Sequence, residues 1–355
     1  MTASIPSGVK IDQVKGLVYG NCTGDAIGLL TEFMIKKEAK TYYGKKSKLK
    51  FKYKVPDMHR ERWEVGDWTD DSDQMVLIMR SLVENNGKVV VTDFASKLVN
   101  WMKHGFEELG DKGGMGIGQN TAAVLNASGY VDDPLKVSEK RWNIAGRYGR
   151  FPAPNGAVMR TSILGVHCYD NIDDVIRNTI EICKTTHFDP RCQASCVAVT
   201  TSIAMMLQRE PKGKAKSMKF TKDMIDDIIK AAYNYSKDLL STEELREELL
   251  FYLNVKDLSA LELDEAGKIG YTYKTLGAGF WALKQTNFRK AIQAITMEAG
   301  DADTNAAVAG ALLGCKLGFE EIPKAWRDGL IHKDWLNEQM RKFFLLDEEK
   351  WKNTK

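Results

Sequence analysis

The 355-residue chain has no C-x-x-C pair, no apolar run near the roughly 20 residues of a membrane span, and little net charge: 51 basic against 48 acidic side chains leave +3. Each absence closes off a class. With no such run, and no signal-peptide pattern over Met1 to Val14, the expectation is a soluble, cytoplasmic protein. Near-neutral charge gives no general reason for a nucleic-acid partner, so any basic character is local. The six cysteines are scattered, mostly in apolar surroundings, which suits reduced buried thiols better than a disulfide framework. Cys183, His187, Cys192 and Cys196 lie close in sequence, yet without a C-x-x-C pair a zinc site is not expected. Strand periodicity is scarce too. There is no repeat and no low-complexity linker, and 43% hydrophobic residues with 28% charged fit a globular protein. The expected fold is all-α, a single domain over residues 1–355.

What is present is concentrated at two helix starts. In Glu298 to Ala307, Asp301, Asp303 and Thr304 stand where the chain enters a helix of small residues, with Gly310, Gly314 and Gly318 four apart. Such a face lets another backbone approach closely. Far upstream, Thr69, Asp70 and Asp71 precede Met75, Val76, Leu77, Ile78 and Met79. Taken alone, each start reads as an N-cap with acids that complement the helix dipole. The D-x-D-x-N pattern is not an EF-hand, because Ala306 stands where that loop needs Gly and Leu312 where it needs Glu. The device is used twice, however. If the two starts face one another, they offer four carboxylates and two hydroxyls, hard oxygen donors that suit a pair of Mg2+ or Mn2+ ions. The cations would also relieve the repulsion among the carboxylates.

Other stretches frame this pair. Val14 to Leu30 has helical periodicity with Gly16, Gly20, Gly24 and Gly28 four apart; Asp25 inside it reads as a structural hydrogen-bonding group, and Glu32 lies just past its end. Lys36 to Lys54 holds nine lysines, and its second half alternates lysine with Leu49, Phe51, Tyr53 and Val55, which predicts a short half-buried strand over 48–55. The lysines read either as a solvated face or as an arm for an anionic polymer or phosphate ligand. Gly113 to Gly118 follows no strand, so it is not a dinucleotide loop, but it lets amides approach a phosphate. Gly146 to Arg160 mixes basic residues, the aromatics Tyr148 and Phe151, and flexible positions, a combination able to hold a nucleotide. His187 precedes a helix running to Leu207, where it reads as a capping or core residue. Residues 208–222 read as a surface loop, 225–253 as an amphipathic helix, and 270–283 and 288–297 as the helices leading to Asp301.

Taken in order, Gly24-Asp25-Ala26-Ile27-Gly28, Thr69-Asp70-Asp71-Ser72, Asn155 to Arg160, Thr186-His187 and Gly300 to Ala307 resemble the ADP-ribosylglycohydrolase family over about Lys15 to Gly318. The resemblance implies a compact all-α domain of orthogonal helices, with C-terminal helices over 319–355 and a cleft holding two divalent cations. It implies Thr69, Asp70, Asp71, Asp301, Asp303 and Thr304 as metal ligands, and Glu32 as an acidic residue on a mobile segment beside the metals; the catalytic carboxylates are expected to be Asp70 or Asp303 at the water and Glu32 at the leaving group or the entrance. It implies that Gly114, Gly116 and Gly118, the stretch with Tyr148, Phe151 and Asn155, and His187 line an ADP-ribose cleft. The implied activity is metal-dependent hydrolysis of the C1″ bond of ADP-ribose on a protein or small-molecule acceptor; the alternative is a non-catalytic ADP-ribose or poly(ADP-ribose) binder. Two departures matter: the lysine-rich arm falls where members differ, and Ser72 replaces the more usual Thr.

Overall fold

The chain begins its ordered course in a helix whose glycine edge decides the architecture. In a computed structural model that describes residues 8–147, 153–210, 218–347 and 351, α1 (Val9–Gly28) is followed by α2 (Lys36–Tyr43), α3 (Asp70–Glu84), α4 (Val91–His104) and α5 (Gln119–Leu125). Then come α6 (Pro134–Arg147), α7 (Ile172–Lys184), α8 (Pro190–Leu207), α9 (Lys222–Ser236) and α10 (Glu243–Asn254). The last third holds α11 (Thr272–Leu283), α12 (Phe288–Glu298), α13 (Ala302–Leu317), α14 (Lys324–Arg327) and α15 (Lys333–Leu345). Among the described residues there is no strand beyond an isolated bridge between Pro154 and Tyr271, and no helix long and apolar enough to cross a membrane.

The two small-faced helices expected from sequence pack on each other. A Cβ on Gly16 would sit 2.2 Å from Gly314 O, and one on Gly28 would sit 2.3 Å from Ala302 O. The pairs run in opposite order along the two chains, so α1 and α13 are antiparallel at backbone contact. That registry carries the C-terminal end of α1, and with it Glu32, to the first turn of α13. Around this pair, α11 and α12 pack on α13, while α7 and α9 flank α8. Helix α8 is almost wholly buried despite its hydroxyls, because Thr200, Thr201 and Ser202 return their O–H groups to carbonyls four residues back at 3.0, 2.6 and 2.8 Å.

Two sequence expectations are corrected. Residues 48–55 form no strand: Phe51–Tyr53 is a 3-10 turn. The alternation reports one-sided burial, with Leu49 and Phe51 turned into the core, and the backbone of Leu49 is satisfied by side chains (its N–H donates to Gln293 Oε1 at 3.0 Å, its carbonyl accepts from Trp326 Nε1 at 3.1 Å). The helix expected over 225–253 is two helices, since the chain turns at Lys237–Leu239 and restarts at Thr242, whose hydroxyl accepts from the Leu245 N–H at 3.4 Å.

Candidate active site

At the start of α3, Thr69 is the N-cap, its hydroxyl accepting from the Asp71 N–H at 3.5 Å. Asp25, inside α1, braces this start from outside: its carboxylate accepts from Thr69 N–H at 3.0 Å, Ser72 N–H at 3.1 Å and Ser72 O–H at 2.6 Å. Burial holds the Asp25 carboxyl up at about 7 against those bonds. With the amides of Thr69, Asp71 and Ser72 taken by Asp25 and the Thr69 hydroxyl, these bonds do not draw on the carboxylates of Asp70 and Asp71.

The start of α13 is built differently. Ala299 and Gly300 take left-handed φ values of 62° and 70°, and Gly300 is tied to the segment after α1 by Phe33 N–H to Gly300 O at 2.7 Å and Gly300 N–H to Met34 O at 2.9 Å. Asp301 makes no cap bond; its carboxylate accepts from Asn155 Nδ2 at 2.8 Å. Thr304 O–H donates to Asp71 Oδ2 at 3.3 Å, which joins the two starts directly. Glu32, Asp301 and Asp303 each place a carboxylate oxygen within 4.8 Å of the other two.

All of these carboxylates face one cavity of about 670 Å3, inside the roughly 300–1,000 Å3 range of small-molecule sites. Asp70, Asp71 and Asp303 are held well above the carboxylate range by burial and by the charge of neighbouring carboxylates, Asp25, Glu32 and Asp301 among them, and Asp301 is raised by burial. Among the described residues none of these four aspartates has an ion pair, and Asp71 Oδ1 is buried without a hydrogen-bond partner. Concentrated, uncompensated negative charge with an unused oxygen fits a divalent cation, and the donors are all hard oxygens.

The other predicted positions divide. Gly116, Gly118, Asn155 and His187 line the cavity. Gly116 has φ 93°, and a Cβ there would meet Asp70 Oδ1 at 2.5 Å. Gly114 lies outside the cavity, pinned beneath the Trp101 indole, where a Cβ would sit 2.7 Å from the ring. Tyr148 and Phe151 fall outside the described residues. Cys183 and Cys192 donate to carbonyls at 3.4 and 3.3 Å, and no zinc cluster forms among the described residues.

Sequence reading missed three supports. Gln74 donates to Asp70 Oδ2 at 2.9 Å and accepts from the buried Arg160 at 2.7 Å, so it links that guanidinium to the carboxylate. Arg160 also donates to Thr186 Oγ1 at 2.7 Å, and Thr186 lies 2.7 Å from His187 Nδ1. Since a guanidinium only donates, the hydroxyl accepts from it, and its own proton is free for Nδ1. Burial and the Arg160 charge hold His187 well below the usual imidazole range, so the ring is neutral; it lines the cavity, with Nε2 buried beside Gly156 and without a hydrogen-bond partner among the described residues. The third support is His59, whose Nε2 lies 2.5 Å from Glu32 Oε2. Arg62 Nη2 donates to His59 Nδ1 at 3.1 Å, which places the ring proton on Nε2, toward Glu32. Arg60 holds the backbone of the same segment through the carbonyls of Leu30 and Glu32. Only the i, i+4 spacing of Asp70 and Gln74 was visible beforehand; the other contacts join distant segments.

Comparison with known proteins follows this geometry. The sequence profile of the ADP-ribosylglycohydrolase family matches residues 6–353. ADP-ribosylarginine hydrolase Tri1 of Serratia proteamaculans (strain 568) is 25% identical over 97% of this chain and 82% of its own length. The ADP-ribosyl-[dinitrogen reductase] glycohydrolase of Rhodospirillum rubrum is 21% identical over 91% of each chain. A solved structure titled ADP-ribosylglycohydrolase-related protein complex superposes with a TM-score of 0.65 at 20% identity, over 94% of this chain and 98% of that one, and shares the fold.

Proposed function

The chain belongs to the ADP-ribosylglycohydrolase family and is a glycosidic-bond hydrolase, and from that premise we propose that it cleaves the C1″ bond between ADP-ribose and an acceptor side chain with two divalent cations, Mg2+ first and Mn2+ as substitute. The observation that carries the reading is the meeting of the α3 and α13 starts, which gathers Asp70, Asp71, Asp301, Asp303 and Glu32 around one cavity, the four aspartates having no ion pair among the described residues. Thr69, Asp70, Asp71, Asp301, Asp303 and Thr304 are the proposed ligands. Bound there, the cations supply charge that offsets the carboxylates, orients ribose hydroxyls and acidifies water.

The chain's own groups do the rest. Water oxygen bonds to C1″ as the bond to the acceptor breaks, and the acceptor leaves with a proton. Asp303 or Asp70 orients the water and takes its proton, and Glu32, held by His59, serves the leaving group or gates entry. The ribose becomes oxocarbenium-like, and the surrounding carboxylates stabilise that positive charge. At the other part of the cavity the Gly116 to Gly118 backbone offers donors to the diphosphate beside the His187 ring, while Asn155 keeps Asp301 in place. The pairing of α1 near the N-terminus with α13 near the C-terminus supports treating 15–318 as one catalytic core. A non-catalytic binder would have no use for the carboxylate set, and every member of it is retained.

The test is a panel of arginine-linked, serine-linked and polymeric ADP-ribose, each incubated with Mg2+, with Mn2+ and with chelator. The names of the relatives make the arginine linkage the first to try. Free ADP-ribose appearing only with cation supports the proposal, and no release from any of the three overturns it.

A further inference from the structure

The lysine-rich excursion between α1 and α3 takes no part in the chemistry just described, yet it starts and ends at the cleft. Phe33 lines the cavity and is 61% exposed, and three residues later the Lys36 N–H donates to Asp264 Oδ2 at 2.8 Å. The excursion returns at His59, which bonds Glu32. Between these anchors the segment is fastened rather than loose. Ala39, Tyr43, Leu49 and Phe51 are buried, and the backbone of Leu49 is gripped by Gln293 and Trp326.

Burying these apolar residues turns the lysines outward. Eight of the nine from Lys36 to Lys54 are exposed; Lys54 turns inward to the Trp63 carbonyl. Nine lysines against one acid, Glu38, give the stretch +8 in a chain of net +3, so the remainder is net negative. Glu38 is engaged with the Ile35 N–H at 2.9 Å, and of these nine lysines only Lys36 has an ion pair among the described residues, to Glu298 at 2.5 Å. The protein thus carries a fixed, uncompensated cationic surface at one lip of the cleft.

The inference rests on the ADP-ribosylhydrolase reading. If the C1″ bond is broken beside Glu32, Asp301 and Asp303, the acceptor and whatever bears it leave past Glu32 and Phe33, onto α2. We propose that α2 and the segment through Lys52 form an exosite for an acidic face, rich in Asp and Glu, of the protein that carries the ADP-ribosyl group. Charge complementarity selects an anionic partner. The make-up of the surface selects a protein over nucleic acid: no arginine stands between 36 and 54, and of its four rings Tyr42 is exposed and Tyr53 partly so, whereas nucleic-acid channels add arginines and stacking aromatics.

The experiment uses the full chain and three ADP-ribosylated substrates: a peptide with acidic flanks, the same peptide with Asn and Gln in their place, and the modified amino acid alone. The variant is Lys40→Glu with Lys45→Glu, Lys48→Glu and Lys52→Glu, all exposed and outside the cavity, with its melting curve checked against wild type. The expected result is that wild type favours the acidic peptide about tenfold or more in kcat/KM, mainly through KM and less at high salt, and that the variant loses this preference. Its turnover of the modified amino acid stays at the wild-type level. Equal wild-type rates on both peptides, or an unchanged preference in the variant, overturn the exosite. Absence of turnover on every substrate overturns the hydrolase reading instead; the exosite is then judged by fluorescence anisotropy of the unmodified acidic peptide, and no binding overturns it. An oligonucleotide or polymeric ADP-ribose that binds the wild type more tightly than the acidic peptide overturns the assignment to an acidic protein.

Discussion

Thr304 Oγ1 stands 3.3 Å from Asp71 Oδ2, a contact across 233 residues of sequence that joins the first turn of α13 to the first turn of α3. It follows from the glycine registry between α1 and α13 together with the bonds from α3 to Asp25. Remove either, and the carboxylates no longer converge.

Gly24→Ala tests the registry. A Cβ there would lie 2.1 Å from Ala306 O, so the helices must separate, and overpacking of this kind costs about 1–3 kcal/mol or more. The melting temperature should fall, and turnover should fall further than the unfolded fraction explains, because the start of α13 shifts away from α3. A variant with wild-type stability and turnover would show that the close approach is not needed.

His59→Ala tests the support of Glu32. The carboxylate loses its Nε2–H donor and the Phe33 ring loses its neighbour at 4.8 Å, so kcat should drop roughly 10–100-fold, as for other outer-shell losses. His59→Gln, which can still donate, should recover part of the rate. Equal rates in the two variants would assign His59 to packing alone.

Thr186→Val tests the relay to His187. Without the hydroxyl the ring loses its hydrogen-bond partner at Nδ1 and is free to reorient in the cavity wall. KM should rise with a smaller change in kcat, and Thr186→Ser should restore it. Steady-state kinetics on one substrate reads this out, and an unchanged KM in the Val variant would remove His187 from substrate binding.

The acidic core predicts a pH-dependent response to cation. Burial lifts Asp25 from the ordinary 3.8 to about 7, and burial together with repulsion from neighbouring carboxylates holds Asp70, Asp71 and Asp303 well above 3.8 as well. Folded pKa values above the unfolded ones mean that the stability these groups contribute is fully present below about 4 and is lost as pH rises through about 7 and beyond. Metal-free protein should therefore lose melting temperature from pH 5 to 8, while Mg2+ should raise it most at pH 8. A cation effect of the same size at both pH values would contradict this origin.

Both acidic starts were legible in the sequence because an N-cap and the residues after it are local, and the glycine spacing of α1 and α13 was legible because the helical period is. That the two glycine faces meet each other was not written in either. The bond of Gln74 to Asp70 is local, but its bond to Arg160 and the approach of His59 to Glu32 join distant segments, so these roles were not legible. The 48–55 stretch misled because alternation records which side chains are buried, whether the backbone bonds to a strand or, as at Leu49, to Gln293 and Trp326. Gly114 misled because a glycine that yields to Trp101 looks the same in sequence as Gly116, which yields to Asp70.

The most direct measurement is a calorimetric titration of metal-stripped protein with Mn2+, on the wild type and on Asp71→Asn and Asp301→Asn, which take one carboxylate from each helix start. The account predicts two ions bound by the wild type and fewer, weaker sites in each variant. No binding by the wild type, or binding that survives both substitutions unchanged, would contradict it.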